Sequence, residues 1–131
     1  MSQENVEFVR SIHAAWERGD FSSAEWAHTE IEWVIADGPT AGSWKGLDGM
    51  RESFGEMLGA WDDFRAEAEE YRSVDEERVL VLTHFRGRGK TSGLEVSQKG
   101  AELIRVRNGK VTRFVHYYDR ARALEAVDLS E

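Results

Sequence analysis

Cysteine is absent and proline occurs once, at Pro39, in a chain of 131 residues. Without a thiol there is no disulfide framework, no thiolate nucleophile, and no zinc ribbon or iron–sulfur cluster. No window approaches ~18 consecutive apolar residues, the length a membrane-spanning helix needs. Basic residues are in the minority, 17 against 25 acids, and the formal charge is −8. That balance argues against nucleic acid and anionic membrane as partners, since both call for a basic footprint. Met1-Ser2-Gln3-Glu4-Asn5 offers neither a basic start nor an apolar run, so no secretory signal is expected and a soluble cytoplasmic protein is the default. Also missing are a Gly-x-Ser-x-Gly elbow, a Walker loop and a dinucleotide fingerprint; Gly87-Arg88-Gly89 leads into Lys90-Thr91-Ser92-Gly93 and reads as a hairpin loop. No His-x-x-x-His or other close ligand spacing exists among the four histidines, so neither a metal nor another cofactor is expected.

What the chain does have is enough length to bury roughly two-thirds of its unfolded surface in one core, and many aromatics: five Trp, six Phe and three Tyr. These fill cores and line ligand cavities equally well. Val6, Val9, Ile12, His13 and Trp16 fall on one face of a helix over residues 4–18, with Gly19-Asp20 as its stop. Ser22 and Ser23 can cap a second, short helix through Ala24 and Trp26. Ile31, Trp33 and Ile35 then alternate as a strand, and residues 37–46 are dense in turn formers and read as a surface loop. Residues 48–60 predict a third helix with Met50, Phe54, Met57 and Leu58 on one face. Beyond Phe64 the period changes to two, predicting strands at 64–74, 78–87, 94–106 and 111–118. From Asp119, an expected N-cap, good helix formers return. Helices followed by a strand meander predict an α+β fold in which a curved sheet wraps the helices and leaves a cone.

The helix-and-stop Val9-Arg10-Ser11-Ile12-His13-Ala14-Ala15-Trp16-Glu17-Arg18-Gly19-Asp20, then Trp44-Lys45-Gly46 with Met50-Arg51-Glu52-Ser53-Phe54, the hairpin Ile104–Val111 and the ending Tyr117-Tyr118-Asp119-Arg120 carry a family likeness in their order and spacing. Together they resemble the nuclear transport factor 2-like superfamily in its SnoaL-like branch, home of polyketide cyclases and relatives of ketosteroid isomerase. The resemblance covers nearly the whole chain and implies a cone-shaped α+β barrel, a pocket between helices and sheet, and often a homodimer. It does not imply one chemistry, because function lives in the site and not in the fold. Aligned on Gly19-Asp20, the isomerase's hydrogen-bonding tyrosine falls at Ile12 and its general base near Ile35, neither able to do that work; only its second acid survives, near Glu102. Steroid isomerisation by that route is not expected.

Glu102 and His116 are the polar pair of interest. If the hairpin at 107–110 is a three-residue loop with Gly109 as the bulge, Val106 faces Lys110, Glu102 faces Phe114, and Glu102 and His116 share the concave side; a two-residue Asn-Gly turn would separate them. The first register buries Ile104, Val106 and Phe114 together. A carboxylate and an imidazole in half-apolar surroundings can trade a proton, and the carboxylate should raise the His116 pKa and offset its desolvation. The rival reading is a hydrogen-bonded core histidine with Glu102 in a structural ion pair. The resemblance turns His84 inward to join them, whereas apolarity alone favours Val79, Val81, Thr83 and Phe85 on the inner face; Arg86 goes wherever His84 goes. His13, on the apolar helix face, reads as a core histidine.

Trp16, Trp33, Phe54, Phe114 and Tyr118 complete the candidate ligand wall, and Trp44 on the glycine-rich loop reads as a lid. Acids crowd residues 62–77 and bases residues 84–113, a pattern of solvated strands with ion ladders. The leading expectation is a protein that binds an apolar, polycyclic or carbonyl-bearing small molecule, as a cofactor-independent acid–base enzyme with Glu102, His116 and His84 as the catalytic set. The alternative is a non-catalytic dimeric binding or interaction module. Leu103, Val115 and Tyr117 among Arg105 and Arg113 form an outer patch apolar enough to expect a homodimer through that face.

Overall fold

The computed structural model describes residues 2–18, 20, 25–38 and 41–127. Helix α1 spans Ser2–Glu17, strand β1 Ala27–Ile35, β2 Gly42–Lys45, α2 Gly46–Ala60, β3 Trp61–Ser73, β4 Arg78–Gly89, β5 Glu95–Arg107, β6 Lys110–Tyr117 and α3 Arg120–Ala126. The strands form one six-stranded sheet in the order β2-β1-β6-β5-β4-β3, in which β1 and β6 run parallel and the other neighbours antiparallel. The sheet is open and mixed, and α1 and α2 lie in its curve: an α+β cone. The expected short helix at 22–26 falls largely outside the described residues, with Trp26 in the turn that leads into β1.

Strand alternation sorts the sheet's two faces. Inside, Ile31 and Trp33 of β1, Val79 and Val81 of β4, Ile104 and Val106 of β5 and Phe114 of β6 pack against Val9, Ile12 and Trp16 of α1 and Met50 of α2. Outside, Leu80, Leu82, Ala101, Leu103 and Val115 pack against Ala123 and Val127 at the C-terminal helix. That second layer corrects the expected dimer surface: Leu103 and Val115 are buried by the chain's own α3, so this patch supplies no reason to pair with another copy.

Two further corrections concern local geometry. The stretch expected to be a surface loop contains β2, whose Trp44 sits opposite Trp33 in the ladder and packs half-buried against the core. Trp44 is thus held in the sheet and is not a mobile lid. The β5–β6 hairpin is a two-residue turn, with Asn108 and Gly109 at φ 50° and 73° and Arg107 opposite Lys110. Val106 then pairs Val111 but Arg105 pairs Arg113, leaving Thr112 as one extra residue in β6. The bulge inverts the side-chain parity the tight turn would otherwise impose. Glu102 therefore faces inward as expected, but opposite His116 and not Phe114. Thr112 Oγ1 accepts from Arg105 Nε at 2.9 Å, which ties the bulge to the neighbouring strand.

At its far end β6 leaves the sheet over Gly100, where a Cβ would lie 2.5 Å from the Tyr117 carbonyl oxygen. Arg120 fills the gap in the ladder: its Nε donates to the Gly100 carbonyl at 3.1 Å and its Nη2 to the Thr83 carbonyl at 2.8 Å and to Glu69 at 2.7 Å. Both carbonyls belong to buried residues. Arg120→Met should lower stability by about 2 kcal/mol, since hydrogen bonds from charged donors are lost and the carbonyls stay desolvated; urea titration checks it, and an unchanged midpoint contradicts it. Asp119 caps α3 as expected, its Oδ1 accepting from Ala121 N at 3.0 Å. Asp119→Ala should cost about 1 kcal/mol in the same assay while Asp119→Asn stays close to wild type.

Candidate functional site

Between α1, α2 and the inner face of the sheet lies a cavity lined by Trp16, Trp33, Ile35, Ser53, Phe54, Phe64, Ala66, Glu102, Phe114 and His116. The free volume for a water molecule's centre inside it is about 20 Å³. Aromatic rings set its shape: Trp33 stacks on Phe114 with centroids 4.4 Å apart, and Trp16 meets Phe54 edge-on at 5.6 Å. Phe85 and Tyr118, whose rings stand 6.1 and 4.8 Å from that of His116, line a neighbouring open cleft of about 400 Å³. The cleft is also lined by Trp61, Val96, Gln98, Asp37, Asp119 and Arg122.

The polar side of the cavity is a chain of three titratable groups. His13 Nε2 lies 2.6 Å from Glu102 Oε1, and Glu102 Oε2 lies 3.9 Å from His116 Nδ1. His13 Nδ1 donates to the Val9 carbonyl oxygen at 3.1 Å, one turn back in α1. A carbonyl only accepts, so Nδ1 carries a hydrogen, and the short contact at Nε2 must hold a second proton between imidazole and carboxylate. Burial pulls the His13 pKa down, but the Glu102 charge and hydrogen bond, helped by the Val9 carbonyl, outweigh it and leave the pKa above the ordinary histidine value. His13 is therefore the imidazolium partner of a buried ion pair. His116 goes the other way. Burial dominates the attraction of Glu102 and Asp37, its pKa falls below the ordinary value, and the ring is neutral at physiological pH. Glu102 does pull the His116 pKa upward as expected, but the expected offset of its desolvation fails, because burial is the larger effect.

Of the side chains singled out from sequence, Glu102, His116, Trp16, Trp33, Phe54 and Phe114 converge on the cavity, whereas Tyr118 lines the neighbouring cleft and meets the His116 ring edge-on. Trp44 supports the core without lining the cavity. His84 and Arg86 do not join the cluster: they share the outer face with Leu80 and Leu82, where His84 Nε2 meets Ser97 Oγ at 2.5 Å and Arg86 pairs with Glu67 at 3.5 Å. Buried Thr83 and Phe85 take the inward positions, so apolarity decides the face and the orientation implied by the resemblance is wrong. His13 and Ser53 are the site residues that sequence reasoning passed over. Both are polar residues on an otherwise apolar helix face, and that mismatch is the signal that marks them. Asp37 is a third: its carboxylate accepts from Tyr118 N at 2.7 Å and Asp119 N at 3.3 Å, fixing the end of β6 behind His116.

Among the described residues no group of three His, Asp or Glu side chains is placed to hold a metal ion, and no helix is long and apolar enough to cross a membrane. With cone, cavity and buried carboxylate in place, the class is clear: the chain belongs to the SnoaL-like domain family, whose model matches residues 9–114. Among solved structures it is similar to TerC co-crystallized with polyporic acid, at 20% identity over 95% of this chain and 98% of that one with a TM-score of 0.76. Bal32a from a soil-derived mobile gene cassette shares 21% identity, with 96% and 97% covered and a TM-score of 0.80. An NTF2-like protein from Burkholderia xenovorans LB400 shares 27% identity, with 97% and 98% covered and a TM-score of 0.72. No curated protein matches the chain.

Proposed function

We propose that residues 1–131 act as one SnoaL-like domain that binds an uncharged organic molecule at the cavity and transfers a proton there without a cofactor, with His116 as the acid–base group and Glu102 behind it. The observation that carries this reading is His116 itself, which lines the cavity, faces a carboxylate through Nδ1 and has no hydrogen-bond partner at its buried Nε2 among the described residues. Unmade hydrogen bonds in protein interiors are uncommon, and an acid–base group at a ligand site is one reason to keep one. A neutral imidazole is the form that accepts a proton, and the imidazolium produced would be held by the Glu102 charge. His13, tied to the other oxygen, positions that carboxylate. Trp16, Trp33, Phe54 and Phe114 supply the apolar contact. A ligand larger than the cavity would keep its body in the outer cleft and send only its reacting end past Phe85 and Tyr118. That one fold neighbour was co-crystallized with polyporic acid supports a small-molecule site in this fold. A cytoplasmic location and a homodimer accompany this reading, the dimer from the family likeness alone; sedimentation giving only a 14.9 kDa species would remove it.

The test is deuterium incorporation at the α-carbon of α-tetralone, an apolar carbonyl compound, followed by NMR in D₂O. Wild type should accelerate exchange, His116→Ala should abolish the acceleration, and Glu102→Gln should reduce it. Exchange no faster with wild type than with His116→Ala leaves a binding module without catalysis.

A further inference from the structure

Strand β1 carries a wide bulge near its start: Ala27 pairs with Val111 and Glu32 with Arg113, so residues 28–31 stand against Thr112 alone. The surplus bends β1 away from β6, and a concavity of about 480 Å³ lies there, of a size that holds a small molecule. Its Glu30 and Glu32 alternate with the inward Ile31 and Trp33, which puts it on the face of the sheet opposite the aromatic cavity. Every residue lining it is polar, and four are cations: Lys45 at the end of β2, Arg105 and Arg107 on β5, and Lys110 at the start of β6. Against the two carboxylates they leave an excess of positive charge, on a chain whose formal charge is −8. The ladder adds to the crowding, since Arg105 stands directly opposite both Arg113 and Arg78, where like charges repel. Ion pairs within the chain answer part of this: Asp75 holds Arg78 at 2.7 Å, Glu77 holds Arg107 at 2.8 Å, and Glu32 lies 3.8 Å from Arg105. The rest is unanswered. Lys110 Nζ donates to a carbonyl oxygen, that of Glu25, and Lys45 has no hydrogen bond or ion pair among the described residues.

We propose that this concavity binds a phosphorylated polyol, a short polyol chain or sugar that carries a phosphate monoester. Lys45, Arg105, Arg107 and Lys110 supply donors for the phosphate oxygens; charge-assisted hydrogen bonds of this kind are the strong ones, and a guanidinium has five N–H groups, so one partner does not use it up. Glu30, which has no ion pair among the described residues, accepts from the hydroxyls. The mixed lining selects against the alternatives. A bare oxyanion would find Glu30 only repulsive, a neutral polyol would leave the cations unanswered, and an apolar body would meet no apolar side chain. The site goes beyond the proton transfer proposed above and does not depend on it, because the sheet stands between the two.

Amide NMR shifts of the full chain, titrated at constant ionic strength, read the binding. Glycerol phosphate should bind saturably and at least about tenfold more tightly than inorganic phosphate, the equivalent of one added hydrogen bond to a charged group, and glycerol alone should not saturate. Lys45→Gln and Arg107→Gln, both surface changes, should each weaken glycerol phosphate about tenfold. Glu30→Gln separates the two halves of the ligand by sign: it should weaken glycerol phosphate and tighten inorganic phosphate. Arg65→Gln, which removes an exposed arginine on the edge strand β3, should leave both unchanged. Several results would overturn the proposal. They are inorganic phosphate equal to glycerol phosphate, Glu30→Gln tightening both ligands, or Arg65→Gln weakening them as much as Lys45→Gln does, which is diffuse screening. A second copy of the chain seated on this face would also overturn it, read as a sedimentation mass that falls to 14.9 kDa in Arg107→Gln with no response to glycerol phosphate. His116→Ala should bind glycerol phosphate as the wild type does, so the loss of proton transfer and the loss of this site are read apart.

Discussion

Glu102→Ala should lower the unfolding free energy by about 3–5 kcal/mol, the range for breaking a buried ion pair by removing one partner. Glu102 and His13 are both almost wholly out of water, 2% and 0% exposed, and joined at 2.6 Å. Removing the carboxylate leaves the imidazole wedged edge-on between Trp16 and Tyr71, at 5.1 and 5.8 Å, with Nε2 facing apolar surroundings. Such a group sheds its charge, but the neutral ring keeps an unmade hydrogen bond and the deleted side chain leaves a void beside the cavity. His13→Ala, which strands the carboxylate, should fall in the same range. The double variant should be destabilised by clearly less than the sum, because neither charge is then left unpaired. Urea unfolding of the four proteins closes the cycle. A loss under about 1 kcal/mol for Glu102→Ala, or strictly additive singles, would show that the pair carries no such coupling.

How much of this was legible beforehand depended on whether a feature is local. Helix α1 is written in the spacing of Val6, Val9, Ile12 and Trp16, the strands β3 to β6 in their period-two runs, and the α3 cap in a single Asp before helix formers. The inward side of Glu102 was also legible, through the demand that Ile104, Val106 and Phe114 be buried together, even though the turn type was misjudged. Burial fixed the parity, and the chain reached it with a tight turn plus an extra residue at Thr112 where a looser turn was expected. Strand β2 was hidden because a strand of four residues, Gly42–Lys45, is too short to carry a periodicity; it exists because Trp44 can pair with Trp33. His84 was misplaced by the resemblance and corrected by the buried Thr83 and Phe85 on either side of it. The partner of Glu102 was out of reach for another reason. His13 lies 89 positions away in sequence, and nothing in either segment names the other. A histidine on an apolar stripe announces that a polar partner is needed, and only the fold supplies which one.

Glu102→Gln should turn a core that tolerates mild acid into one that does not. In the wild type the two inner histidines pull in opposite directions. His13, with its folded pKa raised above the unfolded value of about 6.5, contributes stability that is fully present below that value and is lost as pH rises through the folded pKa. His116, with its folded pKa lowered, is protonated first in the unfolded chain, so stability is lost as pH falls below about 6.5. The glutamine keeps the shape but removes the charge that faces both rings. For His13 that leaves burial opposed only by the Val9 carbonyl and the more distant Glu17, and its pKa should drop below the ordinary value. For His116 it leaves burial opposed only by Asp37. Both rings then resist protonation in the folded state. Each histidine contributes a slope of at most about 1.4 kcal/mol per pH unit, so the loss between pH 6.5 and 5 should approach twice that of the wild type. The exposed carboxylates with lowered pKa values, Glu69, Glu70 and Asp75, start from 4.5 or below and affect both proteins alike further into acid. Above pH 6.5 the contrast reverses: wild type should weaken as His13 loses its proton, and Glu102→Gln should not. Urea midpoints at pH 5, 6.5 and 8 for the two proteins, with histidine pKa values from NMR, read both limbs. A variant whose stability is flat from pH 6.5 to 5, or whose His13 pKa stays above 6.5, would mean that Glu102 is not what charges His13.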